Sequence, residues 1–148
     1  MNLDTELIRG TFALIVPMSE EFSKKFYEYL WLDYPSSQVL FENTDMSTQR
    51  KALIGSLDFI VKNLDSEKTL IPYLHEMGAR HVDYGTRPEH YEIVGSSLLK
   101  TLKYFFKRLC DEEVISIWTQ AYALITRIML EGATKRFGQE DVKLKNAC

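Results

Sequence analysis

The stretch from Met77 through Arg80-His81 and Gly85 to Pro88, Tyr91 and Gly95 gathers most of the residues in this chain whose types and spacing can do chemistry. His81 follows Leu74 by seven residues and Met77 by four. On a helix the three therefore lie within about 40 degrees of one face, and the imidazole leaves an apolar stripe. Two readings fit that placement. One is a helix-end histidine, favoured there by the backbone dipole and satisfied locally; the other is an axial metal ligand. His90 falls in the first turn after Pro88, where a capping or solvated role is the ordinary one. His75 is turned about 120 degrees from His81, so one regular helix cannot aim both rings at one ligand.

A complementary wall is legible upstream. Gln49, Leu53, Leu57 and Ile60 recur at spacings of four, four and three, a helical stripe that is apolar except at its first member. A polar head on an apolar wall suits a pocket, and an isolated Gln in water is the plain alternative. Tyr27 and Phe41 can close the same space with a phenol and a phenyl ring, or serve simply as core. The chain contains no GxGxxG, GxxxxGK, HExxH or GxSxG, so nucleotide chemistry and simple hydrolysis lose their usual support.

The elements that must position these residues read as helices. Apolar positions recur at helical spacing almost throughout, which predicts an all-α chain. A first helix is expected over roughly 3–16, stopped by Pro17, and Ser19 is the expected N-cap of a second that carries Phe22, Phe26 and Leu30. Asp33-Tyr-Pro35 ends it, and a short turn runs through Phe41. Asp45 or Ser47 caps a helix of about 47–63, and Asp65 or Ser66 another that reaches Gly78. Pro88 opens a long helix ending near Arg108. Asp111 caps the last, which runs to about Leu130 before Gly132. Residues 1–137 are expected to form one domain and the polar stretch 138–148 a frayed or disordered tail.

Composition sets limits on partners. With 148 residues the chain is long enough to bury roughly 68–70% of its unfolded surface in one core. A formal charge of −3 and the lack of a basic run argue against a nucleic-acid or anionic-membrane partner. Cys110 and Cys148 stand far apart without a CxxC, which fits reduced thiols rather than a disulfide framework or a zinc site. The N-terminus carries Asp4, Glu6 and Arg9 before only a short apolar run, so neither a signal peptide nor a spanning helix is expected, and a cytoplasmic location is.

Taken together, the residues resemble the globin family, and within it the bacterial single-domain globins and the haem domain of flavohaemoglobins. The resemblance covers roughly residues 3–131. It rests on Phe26-Tyr27 ahead of Phe41, Gln49 with Leu53, Arg80-His81 leading into Pro88-Glu-His-Tyr91, Val94-Gly95 with Leu98-Leu99, and Trp118 with Ala121-Tyr122. It implies a globin fold of about six to eight helices around a pocket for haem b (iron protoporphyrin IX). His81 would be the proximal iron ligand, with Met77, Arg80, Tyr91, Phe41 and Leu53 as further cofactor contacts and Phe41 packed on the haem face. Tyr27 and Gln49 would be distal hydrogen-bond donors and Leu53 the apolar wall above the iron. Two such donors in a dry pocket stabilise a diatomic ligand that draws negative charge far more than they would in water.

The implied function is reversible binding of dioxygen, nitric oxide and carbon monoxide with high oxygen affinity, in oxygen transport or in nitric oxide detoxification by a dioxygenase reaction. An external reductase would be the partner, since flavohaemoglobins continue into reductase domains and this sequence ends at Cys148. The alternative is a haem-based gas sensor acting through a partner protein. A monomer or weak homo-oligomer is expected. One departure bears on the enzymatic analogy: where flavohaemoglobins carry a glutamate that pairs with the tyrosine matching Tyr91, an ungapped reading places Ala133. Glu131 is two residues off, about 200 degrees around the helix.

Overall fold

The computed structural model describes residues 3–107 and 112–146, with side chains described through Lys135. Among the described residues the regular structure is six α-helices and two short 3-10 turns, without a strand. Helix α1 spans Thr5–Ile15, and the Asp4 carboxylate caps it by accepting from the Leu7 N–H at 3.0 Å. Pro17 lies in a 3-10 turn over Val16–Met18 that leads directly into α2, Ser19–Asp33. Ser19 is thus the first residue of α2 and Met18 its N-cap, without a capping side chain, which corrects the expected Ser19 cap by one residue. The stripe holds: Phe22, Phe26 and Leu30 are buried.

A second 3-10 turn, Pro35–Phe41, carries the chain to α3, Met46–Lys62. Asp45 caps α3, accepting from the Ser47 N–H and the Thr48 hydroxyl. Helix α4 runs Glu67–Asp83 from a Ser66 N-cap, α5 Pro88–Phe105, and α6 Glu112–Asn146. The cap expected at Asp111 and the two cysteines lie outside the described residues.

Two glycines expected to end helices do not. Helix α4 continues five residues beyond Gly78, and α6 continues through Gly132 to Asn146. The physical reason is shared. A Cβ at Gly78 would overlap the Met129 backbone, and one at Gly132 would overlap the His75 backbone. These glycines let α4 and α6 cross at backbone contact, and among the described residues theirs is the most extensive helix–helix contact. Gly78→Ala is therefore expected to destabilise by about 1–3 kcal/mol, the usual range for forcing atoms into a packed contact. Gly55→Ala, whose Cβ would meet open space, is expected to stabilise by about 0.5–1 kcal/mol. Urea midpoints of the two variants check the contrast.

The core lies between α1, α2 and the α4–α6 layer, centred on Ile8, Ile15, Phe22, Leu30, Leu74 and Leu102. Polar ties fix the periphery. Trp118 donates its indole N–H to the Thr11 hydroxyl at 2.8 Å, joining α6 to α1, and Arg9 reaches both the Val61 carbonyl and Asp65. Helix α3 is the least embedded, with only Ile60 and Val61 buried, both near its C-terminal end. Its first three turns thus form a half-exposed wall over the interior. None of the described helices is long and apolar enough to cross a membrane.

Candidate functional site

The space beneath α3 is the candidate site. Helices α3, α4, α5 and α6 enclose a cavity of about 150 Å³ whose walls are mainly apolar. Leu53, Leu57 and Ile60 line it from α3, the stripe that the spacing singles out. Met77 and His81 enter from α4, and His90, Tyr91, Val94 and Leu98 from α5. A larger open groove of about 840 Å³ lies between the α1–α2 corner and α3. Of its five charged lining residues, Glu20, Asp58 and Lys62 are engaged in pairs along their own helices, and on α3 Arg50 is half-buried and Lys51 exposed. Convergent polar groups on apolar walls are the mark of a ligand site, and they occur in the smaller cavity.

His81 sits two residues from the end of α4. Its Nδ1 lies 2.7 Å from the Met77 carbonyl, one helical turn back. A carbonyl only accepts, so Nδ1 carries the proton and Nε2 keeps its lone pair. Burial pushes the His81 pKa below its usual value against the opposing pull of that hydrogen bond, and the nearby Arg80 charge lowers it further. The ring is thus held neutral, in the tautomer a metal ligand needs. Arg80 itself points outward and pairs with Glu76. Among the described residues no group of three or more His, Cys, Asp or Glu could hold a metal ion. An ion taken by His81 must therefore bring most of its other donors with it, as a porphyrin iron does.

A second polar group lies behind Phe26, which lines the cavity. Gln49 donates its amide N–H to the Tyr27 phenol oxygen at 3.0 Å. With its oxygen accepting from Gln49, Tyr27 keeps its own O–H free to donate elsewhere. Burial raises the Tyr27 pKa, so the phenol stays protonated at neutral pH. Phe41 packs edge-on against Tyr27, with ring centroids 5.5 Å apart, and Trp31 packs on both. Tyr27, Gln49 and Phe41 are therefore one cluster, adjacent to the cavity that contains Leu53, Met77, His81 and Tyr91.

On the other side, Tyr122 donates its hydroxyl to the Tyr91 carbonyl, and Gly95 makes this possible, because a Cβ there would overlap the Tyr122 ring. The hydroxyls of Tyr91 and Thr126 are buried without a hydrogen-bond partner among the described residues, and both residues line the cavity. Glu131 does not reach Tyr91. Its carboxylate lies 3.1 Å from the His75 ring at the surface, while Ala133 is buried. Sequence reasoning left His90, Tyr122 and Thr126 without a role in the cavity. For His90 the signal was available in the spacing of His90, Val94 and Leu98, which puts a histidine at the head of the apolar stripe of α5.

An all-helical fold, a neutral histidine with a free Nε2 and apolar walls on three further helices define a haem-pocket class of protein. The chain belongs to the globin family, whose sequence profile matches residues 24–129. It is 29% identical over 126 residues to a flavohemoprotein of Bacillus subtilis strain 168, covering 84% of this chain and 32% of that one. It is 26% identical to a flavohemoprotein of Oceanobacillus iheyensis, over 92% of this chain and 34% of that one. The chain spans about a third of the length of these relatives. Among solved structures it superimposes on a bacterial globin from Campylobacter jejuni with a TM-score of 0.80 and 25% identity, over 90% of this chain and 96% of that one. The family carries with it a haem cofactor and the binding of diatomic gases. The residues present fit that cofactor, with an imidazole for the iron and Leu53, Leu57, Ile60, Val94 and Leu98 as walls for the macrocycle.

Proposed function

We propose that this chain holds haem b through His81 and binds dioxygen and other diatomic gases reversibly, with high oxygen affinity. Met77, Tyr91, Leu53 and Phe41 would be further contacts of the cofactor, and Tyr27, Gln49 and Leu53 would face the bound gas, whereas Arg80, turned outward to Glu76, is not placed for the contact the resemblance implies. The observation that carries this reading is the Gln49-to-Tyr27 hydrogen bond. Its direction leaves the phenol proton available as a donor in a water-poor setting, where a preorganised donor acts far more strongly than in water. Half-exposed α3 supports the same reading, because moving its first turns outward to admit a large flat group disrupts little buried surface.

The cofactor would supply the redox and gas-binding chemistry, and the chain's residues tune it. Among the described residues His81 donates to a backbone carbonyl alone, and the Tyr91 hydroxyl has no carboxylate partner. A neutral imidazole without an acidic partner favours reversible binding over peroxidase-like bond cleavage. Nitric oxide dioxygenation in the cytoplasm, with electrons from an external reductase, is the activity we assign to this pocket. The test is an absorption series of the hemin-reconstituted protein in its ferric, ferrous and carbonmonoxy forms, followed by nitric oxide consumption with a supplied reductase. The expected result is a histidine-ligated haem spectrum and oxygen-dependent conversion of nitric oxide to nitrate over many turnovers. Haem binding without catalytic turnover would leave reversible gas binding and remove the enzymatic part.

A further inference from the structure

Two histidines line the cavity, and the backbone fixes them in opposite tautomers. His81 donates from Nδ1 to the Met77 carbonyl, which leaves Nε2 as a lone pair. His90 does the reverse, because its Nδ1 accepts from the Arg87 backbone N–H at 2.9 Å. An accepting Nδ1 carries no proton, so in the neutral ring the N–H is on Nε2. His90 is half-buried at the first turn of α5 and joins Thr86 in lining the cavity where it meets the α4–α5 corner. The cavity therefore has a nitrogen acceptor suited to a metal on α4 and a nitrogen donor suited to an anion at its α5 edge.

We propose that His90 is a cofactor-binding residue that holds a carboxylate of the porphyrin through its Nε2–H. The inference rests on the haem reading above and adds a residue and a polarity to it. Three features favour a carboxylate at this edge. Thr86, in the same lining, offers a hydroxyl as a second donor beside the His90 ring N–H. The Arg87 side chain is exposed immediately beside it. The nearest acids of α5, Glu89 and Glu92, are exposed and turned about 100 and 200 degrees from His90 around the helix. An apolar ring with acidic edge substituents matches apolar walls that end in half-buried donors, since its carboxylates would meet the His90 N–H and the Thr86 hydroxyl where the cavity opens.

The experiment compares hemin with hemin dimethyl ester, in which both carboxylates are masked, and measures the rate of transfer from the full-length protein to excess apomyoglobin. His90→Glu keeps an acceptor for the Arg87 N–H, as in an ordinary capping box, but replaces the donor by a negative charge. His90→Gln keeps both an acceptor and a donor. The expected result is that His90→Glu loses hemin about tenfold or more faster than the parent, and His90→Gln within about threefold of it. With the dimethyl ester, the parent and both variants should lose the ligand at equal rates. Equal hemin loss from the parent and His90→Glu would overturn the proposal. So would an acceleration of the same size with hemin and with its ester, since that would mean a lost cap and not a lost carboxylate contact. If the parent retains neither form, the haem reading itself fails, a result distinct from both.

Discussion

Replacing His81 with alanine is expected to weaken hemin binding by roughly 100-fold or more, and added imidazole is expected to restore much of the lost absorption. Losing the partner of a metal ligand ordinarily costs 10- to 100-fold in metal affinity, so losing the ligand itself should cost at least as much. The geometry makes the effect specific. Nε2 is the ring nitrogen left with a lone pair once Nδ1 donates to Met77, and burial holds the ring neutral. Alanine is a good helix former, so α4 should persist in the variant. Far-UV circular dichroism and a urea midpoint close to the parent's would separate loss of the ligand from loss of the fold. Hemin binding by His81→Ala as tight as the parent's would mean that the iron is held from another residue.

Tyr27→Phe is expected to accelerate dioxygen release by about tenfold or more. A buried hydrogen bond to a group that draws negative charge contributes about 1.5 kcal/mol or above, and 1.4 kcal/mol is a factor of ten in an equilibrium. The ring contacts of Tyr27 with Phe26, Trp31 and Phe41 survive the substitution, since phenylalanine keeps the ring and removes only the hydroxyl. Gln49 is half-buried on α3, and its amide can turn to solvent when the phenol oxygen is gone. Stability should therefore change little while the release rate changes much, which stopped-flow displacement by carbon monoxide would resolve. An unchanged release rate would remove Tyr27 from the gas-binding set.

Much of the site was legible in the sequence because its elements are periodic. The 49, 53, 57, 60 stripe reports one helix face, and Leu53, Leu57 and Ile60 do line one cavity together. The stripe at 22, 26 and 30 and the start of α5 at Pro88 follow from local rules that need no partner. The helix ends at Gly78 and Gly132 were misread because glycine has two uses. As a local signal it stops a helix, and as a packing residue it lets two backbones meet. Only the presence of Met129 opposite Gly78, and of His75 opposite Gly132, selects the second use. Glu131 shows the same limit. Its place in the sequence puts it near the expected acid, but the orientation of α6 sends it to His75.

By itself the sequence determined the all-helical class and the apolar faces, and it placed His81 on one such face with a local helix-end role and a metal-ligand role both open. Periodicity and spacing are properties of a single helix, so one chain of letters contains them. The tertiary structure alone decided which ring nitrogen of each histidine is free and in which direction Gln49 and Tyr27 share their hydrogen bond. It also decided that among the described residues no carboxylate reaches the Tyr91 hydroxyl. Hydrogen bonding is directional and depends on atoms about 3 Å apart, which in the Gln49–Tyr27 case come from residues 22 positions apart in the chain. No pattern within a helix can specify such a pair, because it forms only when the packing of two helices fixes where their side chains meet.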